Sequence, residues 1–224
     1  MILPMETLKI PYIKGLAKMD DRQFLLKMEE QGARFIVGSC NWPDSYPYAP
    51  LCGGSVALTD GAIAVHFHVR GLDLRAMNTE DNMSQFQDSC CEFFVMDPDG
   101  SKYYNFEINC IGKILSASGD SRKDRVRRSP EQMARIRRIS WIKEENQPLP
   151  FDHEGNIFTW DVAMMIPLDL IGVDPEALPD TLKANFYKCG DLTSHPHYLS
   201  WSPIGTPRPD FHRPEYFGEL IIKD

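Results

Sequence analysis

The sequence predicts a mostly β protein: an antiparallel β-sandwich, immunoglobulin-like or jelly-roll-like, with one or two decorating helices. Three observations carry this. Many short stretches rich in β-branched and aromatic residues are separated by Gly, Pro, Asp or Asn. The clearest alternates strictly, with Ile63, Val65, Phe67 and Val69 apolar and Ala64, His66, His68 and Arg70 between them, the period of a sheet with one dry face. The strand-then-helix rhythm of a parallel sheet is missing. An α+β domain with one sheet is the second reading. With 224 residues the chain could be one large domain or two small ones. The pattern favours a single domain over 1–224, with 1–50 as an N-terminal extension packed on it.

Taken in order, a helix is expected over 20–30, where Phe24, Leu25 and Met28 fall at helical spacing behind Asp20 as N-cap. Strands are expected at 33–37, 55–58, 62–69, 90–95 and 103–110. Asp97-Pro98-Asp99-Gly100 is a turn signal, so 90–95 and 103–110 should form a hairpin. If Glu92 faces outward there, Cys90 and Phe94 share its face, and Tyr103, Asn105, Glu107 and Asn109 share a face of the partner strand. Ser129-Pro130-Glu131 opens a second helix running to about residue 138. Strands follow at 157–166, 182–188 and 216–222. The prolines between 196 and 214 mark an ordered surface loop that presents side chains.

A net charge of −8 with 42% hydrophobic and 25% charged residues describes a globular chain. It argues against generic nucleic-acid binding, which needs a concentrated basic surface. Between residues 120 and 138, seven arginines and one lysine face three acids. The reading preferred for this segment is a solvated helix face paired with the acidic remainder. The longest apolar runs, 162–166 and 220–222, fall far short of the roughly 20 residues of a membrane span. Residues 1–11 carry no signal-peptide pattern, so the compartment stays open: cytoplasmic, or extracellular or periplasmic if a signal has been removed. Six cysteines without a CxxC read as reduced core thiols.

No standard catalytic signature is present: no GxSxG, no GxGxxG after a strand, no Walker loop and no HExxH. Asp88 and Glu92 are the nearest approach to a glycosidase pair, but four residues along a strand separate them by roughly 13 Å, beyond the roughly 5–9.5 Å of hydrolytic geometries. His66 and His68 could share a metal only if a third ligand came from elsewhere, and Asp97, Asp99 and Gly100 have the spacing of a turn rather than of a calcium loop. Catalytic and metal-ligating residues are therefore assigned to none. The aromatics say more. Sugar rings offer an apolar C–H face and a rim of hydroxyls, so their sites pair aromatic platforms with charged or amide hydrogen-bonders. Phe86-Gln87-Asp88 leading to Glu92 supplies one such platform with acceptors. The stretches around Trp201 and Arg213 supply a second platform and donors.

The blocks Phe86-Gln87-Asp88-Ser89-Cys90-Cys91-Glu92-Phe93-Phe94, Tyr103-Tyr104-Asn105-Phe106-Glu107-Ile108-Asn109, Asn185-Phe186-Tyr187-Lys188-Cys189 and Phe211-His212-Arg213-Pro214-Glu215-Tyr216-Phe217-Gly218 together resemble the family 9 carbohydrate-binding modules and their single-domain relatives. The resemblance implies a β-sandwich that binds oligo- or polysaccharides, typically chain ends of plant polymers such as cellulose or xylan, between two aromatic side chains. It further implies a module without catalytic activity, associated with glycoside hydrolases such as xylanases, and often structural calcium. Carried over, Phe86 stands where the family usually has its first stacking tryptophan, and Asp88 and Glu92 match that block's acids. The expected ligand-binding set is Phe86, Gln87, Asp88, Glu92, Glu107, Asn109, Lys188, Trp201 and Arg213, with Phe86 and Trp201 as the platforms. Phe86 and Glu107 depart from the family pattern, in which tryptophan and arginine can stand.

The sequence reading is thus non-catalytic carbohydrate binding. Two alternatives accompany it: a glycoside hydrolase-like enzyme using Asp88 or Glu92, and a protein-interaction domain using the Arg-rich helix.

Overall fold

Period-two alternation becomes two packed sheets in the computed structural model, which describes residues 5–143 and 148–223. The strands are β1 (Thr7–Lys9), β2 (Ala33–Ile36), β3 (Ser39–Cys40), β4 (Leu51–Thr59), β5 (Ala62–Ala76), β6 (Cys90–Met96) and β7 (Tyr103–Asn109), followed by β8 (Ile114–Gly119), β9 (Val126–Arg127), β10 (Arg137–Ile142), β11 (Phe151–Pro167), β12 (Thr181–Cys189), β13 (Tyr198–Ser200) and β14 (Gly218–Ile221). The helices are α1 (Asp21–Gln31) and α2 (Pro130–Ala134). Among the described residues, one sheet has nine strands in the order β1-β14-β12-β6-β7-β8-β9, with β13 and β3 continuing from β12, and the other has five in the order β10-β11-β5-β4-β2. Residues 5–50 supply β1 and β3 to the first sheet and β2 to the second, so this stretch is woven into the sandwich.

The β6–β7 hairpin forms where its turn signal stands, Gly100 taking the positive φ of 74° that the turn requires, with Glu92 opposite Glu107 in register. Its inward residues, Phe93, Val95, Phe106 and Ile108, meet Ile63, Val65, Phe67 and Val69 of β5 in one core. Phe186 of β12 ties the sheets together by stacking on Phe35 of β2 at 3.9 Å and on Phe93 at 5.3 Å. Each such side chain contributes roughly 1.5–3 kcal/mol through burial.

The outer face of the five-stranded sheet is covered by α1. Asp20 caps it as expected: its carboxylate accepts from the Gln23 amide N–H and the Gln23 side chain reaches back. Phe24 and Met28 then lie on Ala57, Ala64 and Ala163, whose small side chains let helix and sheet approach. On the same face, His66 Nε2 and His68 Nδ1 both meet Asp161 Oδ1, at 2.7 and 2.9 Å. The pair shares a carboxylate rather than gathering ligands around an ion.

The second helix is shorter than expected. It ends at Ala134 and the chain enters β10 at Arg137, because Ile136 and Ile139 are drawn into the core and the strand gains a full ladder against β11. The basic segment is therefore no helix face. Arg135 grips Asp169 through two nitrogens, Arg137 donates to Asp21 and the Leu16 and Met19 carbonyls, and Arg138 grips Asp81. These three pairings match the preferred reading of its charge. All six cysteines are free and five are buried, as expected of core thiols.

Candidate functional site

With the inner face of the nine-stranded sheet committed to the core, its outer face presents alternate residues of three adjacent strands: Cys90, Glu92 and Phe94 on β6, Tyr103, Asn105, Glu107 and Asn109 on β7, and Asn185, Tyr187 and Cys189 on β12. The Pro-rich segment, expected as an ordered loop that presents side chains, brings Asp210, Phe211 and His212 to this face. Phe211 stacks on Tyr187 at 4.2 Å and meets Tyr198 edge-on at 6.1 Å. Between sheet and loop lies a cleft of about 180 Å³ lined by Phe86, Glu92, Glu107, Cys189, Tyr198 and Phe211, with Asp191, His212, Asp210 and Arg122 also contributing.

Phe86 sits in a short 3-10 turn, Gln85–Gln87. The turn is fixed by the amides of Asp191 and Leu192, which donate to the carbonyls of Phe86 and Gln87 at 3.0 and 3.2 Å. The ring thus lines the cleft together with Tyr198 and Phe211. On the floor, Glu107 accepts from Asn105 Nδ2 through Oε1 at 2.9 Å, while its buried Oε2 has no partner. Glu92 Oε1 accepts from the Cys189 thiol at 3.0 Å. Burial pushes the Glu107 carboxyl up to about 7 and Glu92 well above the usual carboxylate range, with Cys189 and Glu107 adding to the effect. Asp191 is likewise raised by burial to about 6, against a hydrogen bond from Tyr198. His212 is held down to about 3 by burial and by Arg125 and Arg122, so it is a neutral ring beside Tyr103 Oη at 3.0 Å. The cleft therefore contains carboxyl groups able to donate as well as accept near neutral pH.

Of the nine expected site residues, Phe86, Glu92 and Glu107 line this cleft. Arg213 borders the adjoining depression with Tyr46, Arg208 and Arg122, paired to Asp210 at 2.9 Å. The structure moves the others elsewhere. Trp201 is 7% exposed and packs in the core edge-on to Phe186 at 5.4 Å, close under Gly218, where a Cβ would lie 2.6 Å from its ring. It is no platform, because β13 pairing turns it inward between Ser200 and Ser202. Asp88 is fully buried, accepting from the amides of Met77 and Asn78 and from Asn109 Nδ2 at 2.9–3.1 Å. Asn109, also fully buried, donates further to Asn78 O and Gln85 Oε1, so both residues hold the 77–88 loop. Gln87 serves through its backbone. Lys188 lies between Tyr187 and Cys189 and so points to the inner face, donating to Cys189 O at 2.7 Å and meeting His197 Nε2 at 2.9 Å, with its ammonium over Trp160.

Of the residues that line the cleft, the expected set of nine omits Cys189, Asp191, Tyr198, Asp210, Phe211, His212 and Arg122. Parity could have found Cys189, which is two residues from the outward Tyr187. Tyr198 opens the three-residue β13, too short to show a period, and the rest arrive through loops whose path no periodicity encodes.

Calcium takes six to eight oxygen ligands. The Asp97 and Asp99 carboxylates are engaged inside their own turn by Ser101 and the Lys102 amide. Among the described residues, the His, Cys, Asp and Glu side chains whose ligand atoms gather closely enough for one ion are Cys90, Glu92 and Cys189. Two thiols in that set do not suit calcium.

Compared with known proteins, the chain matches the model of carbohydrate-binding family 9 over residues 21–222. No curated protein matches it. It is similar to a solved protein of Bacteroides uniformis ATCC 8492 whose proposed role is carbohydrate binding, with 33% identity over 98% of this chain and 100% of that one and a TM-score of 0.86. It shares its fold with a family 9 module of Caldicellulosiruptor kristjanssonii solved with cellotriose, at 12% identity, 97% and 94% coverage and a TM-score of 0.53. The same holds for that organism's module with glucose, at 13% identity, 97% and 96% coverage and a TM-score of 0.52. Two sheets, a cleft on the outer face of one of them and a match spanning almost the whole chain lead to one conclusion: this protein belongs to carbohydrate-binding family 9.

Proposed function

We propose that the protein binds carbohydrate without cleaving it, seating one sugar ring of an oligo- or polysaccharide chain end in the cleft. The observation that carries this is the pairing of Glu92 with Glu107 on the cleft floor beneath the aromatic groups of Phe86, Tyr198 and Phe211. Apolar ring faces can stack on the aromatics while hydroxyls meet the carboxyls. With Glu107 pushed up to about 7 and Glu92 held well above the usual carboxylate range by burial, those carboxyls can donate to a hydroxyl oxygen or accept from a hydroxyl hydrogen. Asp191 and Arg122 extend the polar rim. A volume of about 180 Å³ is below the roughly 300–1,000 Å³ of sites for drug-sized ligands, which supports one ring rather than a bound chain interior. Cellotriose and glucose in the distant relatives make β-glucans, and then xylan fragments, the first ligands to try.

The non-catalytic reading is supported by Asp88. A hydrolytic pair needs both carboxyls at one glycosidic bond, and Asp88 is locked by backbone amides outside the cleft. Calorimetric titration with a panel of gluco- and xylo-oligosaccharides tests the function. Binding to at least one of them, without hydrolysis of aryl glycosides, is expected. Aryl-glycoside turnover lost on Glu92→Gln would establish the enzyme instead, and silence across a full glycan array would defeat the binding reading.

A further inference from the structure

Beyond the sugar site, we propose that the cleft floor is a binding site for a thiophilic divalent cation of the zinc class, held by Cys90 and Glu92 of β6 and Cys189 of β12. The placement follows from the sheet. Cys90 and Glu92 are two apart on one strand and share its outer face, and antiparallel pairing sets Cys189 directly opposite Cys90. One ligand atom from each residue lies within 4.8 Å of the others, and Cys189 Sγ is already 3.0 Å from Glu92 Oε1. Tetrahedral zinc, with bonds of about 2.3 Å to sulfur and 2.0–2.2 Å to oxygen, sets ligand atoms roughly 3.5–3.8 Å apart. Closing around an ion therefore asks for small side-chain rotations and no strand movement.

The remaining requirements of such a site are present. Glu92 and Cys189 face the cleft, which is an entry path and leaves a fourth position open for water or a ligand hydroxyl. Glu107 stands opposite Glu92 and is 4% exposed, with a buried Oε2 that has no partner. That oxygen can accept from a metal-bound water, the outer-shell role such sites use. Two thiolates and a carboxylate exceed the charge of a divalent ion by one. The Lys188 ammonium, bonded to the Cys189 carbonyl at 2.7 Å, offsets part of the surplus. Without an ion, burial holds both thiols above their ordinary range. Loading therefore releases a proton from each thiol, and one more where Glu92 is protonated.

Cobalt(II) titration of the full chain, stripped of metal and kept in a phosphine reductant so that both thiols stay reduced, tests the site. A single equivalent should produce thiolate-to-cobalt charge-transfer absorption in the near ultraviolet, and zinc should abolish it by displacement. Cys90→Ser and Cys189→Ser should each weaken cobalt binding by more than the roughly 10–100-fold that losing an outer-shell partner costs. Glu107→Gln should fall within that range, and Cys110→Ser, a buried thiol elsewhere in the core, should leave binding unchanged. Absence of the charge-transfer band in the unaltered chain overturns the proposal whether or not the serine variants fold, as does a band that survives in Cys189→Ser. The sugar reading is judged separately, since the titration contains no carbohydrate and the sugar titration contains no metal.

Discussion

Replacing Glu107 by Gln should make the protein progressively more stable than the parent as pH rises. The Glu107 carboxyl ionises near 7 in the folded chain, because of burial, and near 4.3 when unfolded. Below about pH 4 it is protonated in both states and has no pH-dependent effect. Between about 4.3 and 7 the folded state holds the proton that the unfolded state has released, so stability falls as pH rises. Well above 7 the loss is complete, at about 4 kcal/mol. Gln retains the acceptor for Asn105 Nδ2 and places an amide where Oε2 has no partner, at a cost of roughly 1–3 kcal/mol that does not vary with pH. The difference between pH values isolates the ionisation: the stability of the variant relative to the parent should increase by about 2–3 kcal/mol from pH 5 to pH 8. Urea unfolding of both proteins at the two pH values, with matched m-values, measures it. A relative stability that stays flat, or moves the other way, would refute the claim that a buried, poorly solvated carboxyl forms the cleft floor.

Three further outcomes follow from the placements above. Trp201→Ala should cost about 3–5 kcal/mol in urea unfolding, since the indole fills core between Phe186 and Gly218. Asp88→Ala should cost about 2–5 kcal/mol by stranding the Met77 and Asn78 amides and one Asn109 donor, with faster amide exchange confined first to residues 77–88. Phe86→Ala, at a half-buried turn position, should lower stability less than Trp201→Ala while weakening sugar binding by at least about tenfold, the equivalent of 1.4 kcal/mol of lost ring contact.

How far the sequence carries is clearest on β6 and β12. Alternation predicts that Cys90, Glu92 and Phe94 share a face with the partner row from Tyr103 to Asn109, and the structure has this register. It also explains why Lys188 fails as a ligand-binding residue: Tyr187 and Cys189 point outward, so the residue between them must point in. Trp201 misleads for a different reason. Its Ser and Pro neighbours look like a surface loop, but three residues of β13 pairing fix its direction, and such short strands carry too little periodicity to read. The 130–138 stretch begins with a good N-cap and then yields to β10, since tertiary pairing with β11 outweighs the weak preference of a helix this short. Phe211 and Asp191 reach the cleft through loops packed on the sheet and Tyr198 from the first residue of β13, and contacts so distant in sequence leave no local signature.

The central claim is that sugar is bound in the cleft walled by Phe86 rather than at Trp201. Calorimetric titration of an oligosaccharide ligand into the parent, Phe86→Ala and a conservative Trp201→Phe variant tests it most directly. The account predicts that binding falls by at least about tenfold for Phe86→Ala and stays close to the parent for Trp201→Phe, which keeps the core filled. Undiminished binding by Phe86→Ala, together with loss on the folded Trp201→Phe variant, would contradict it.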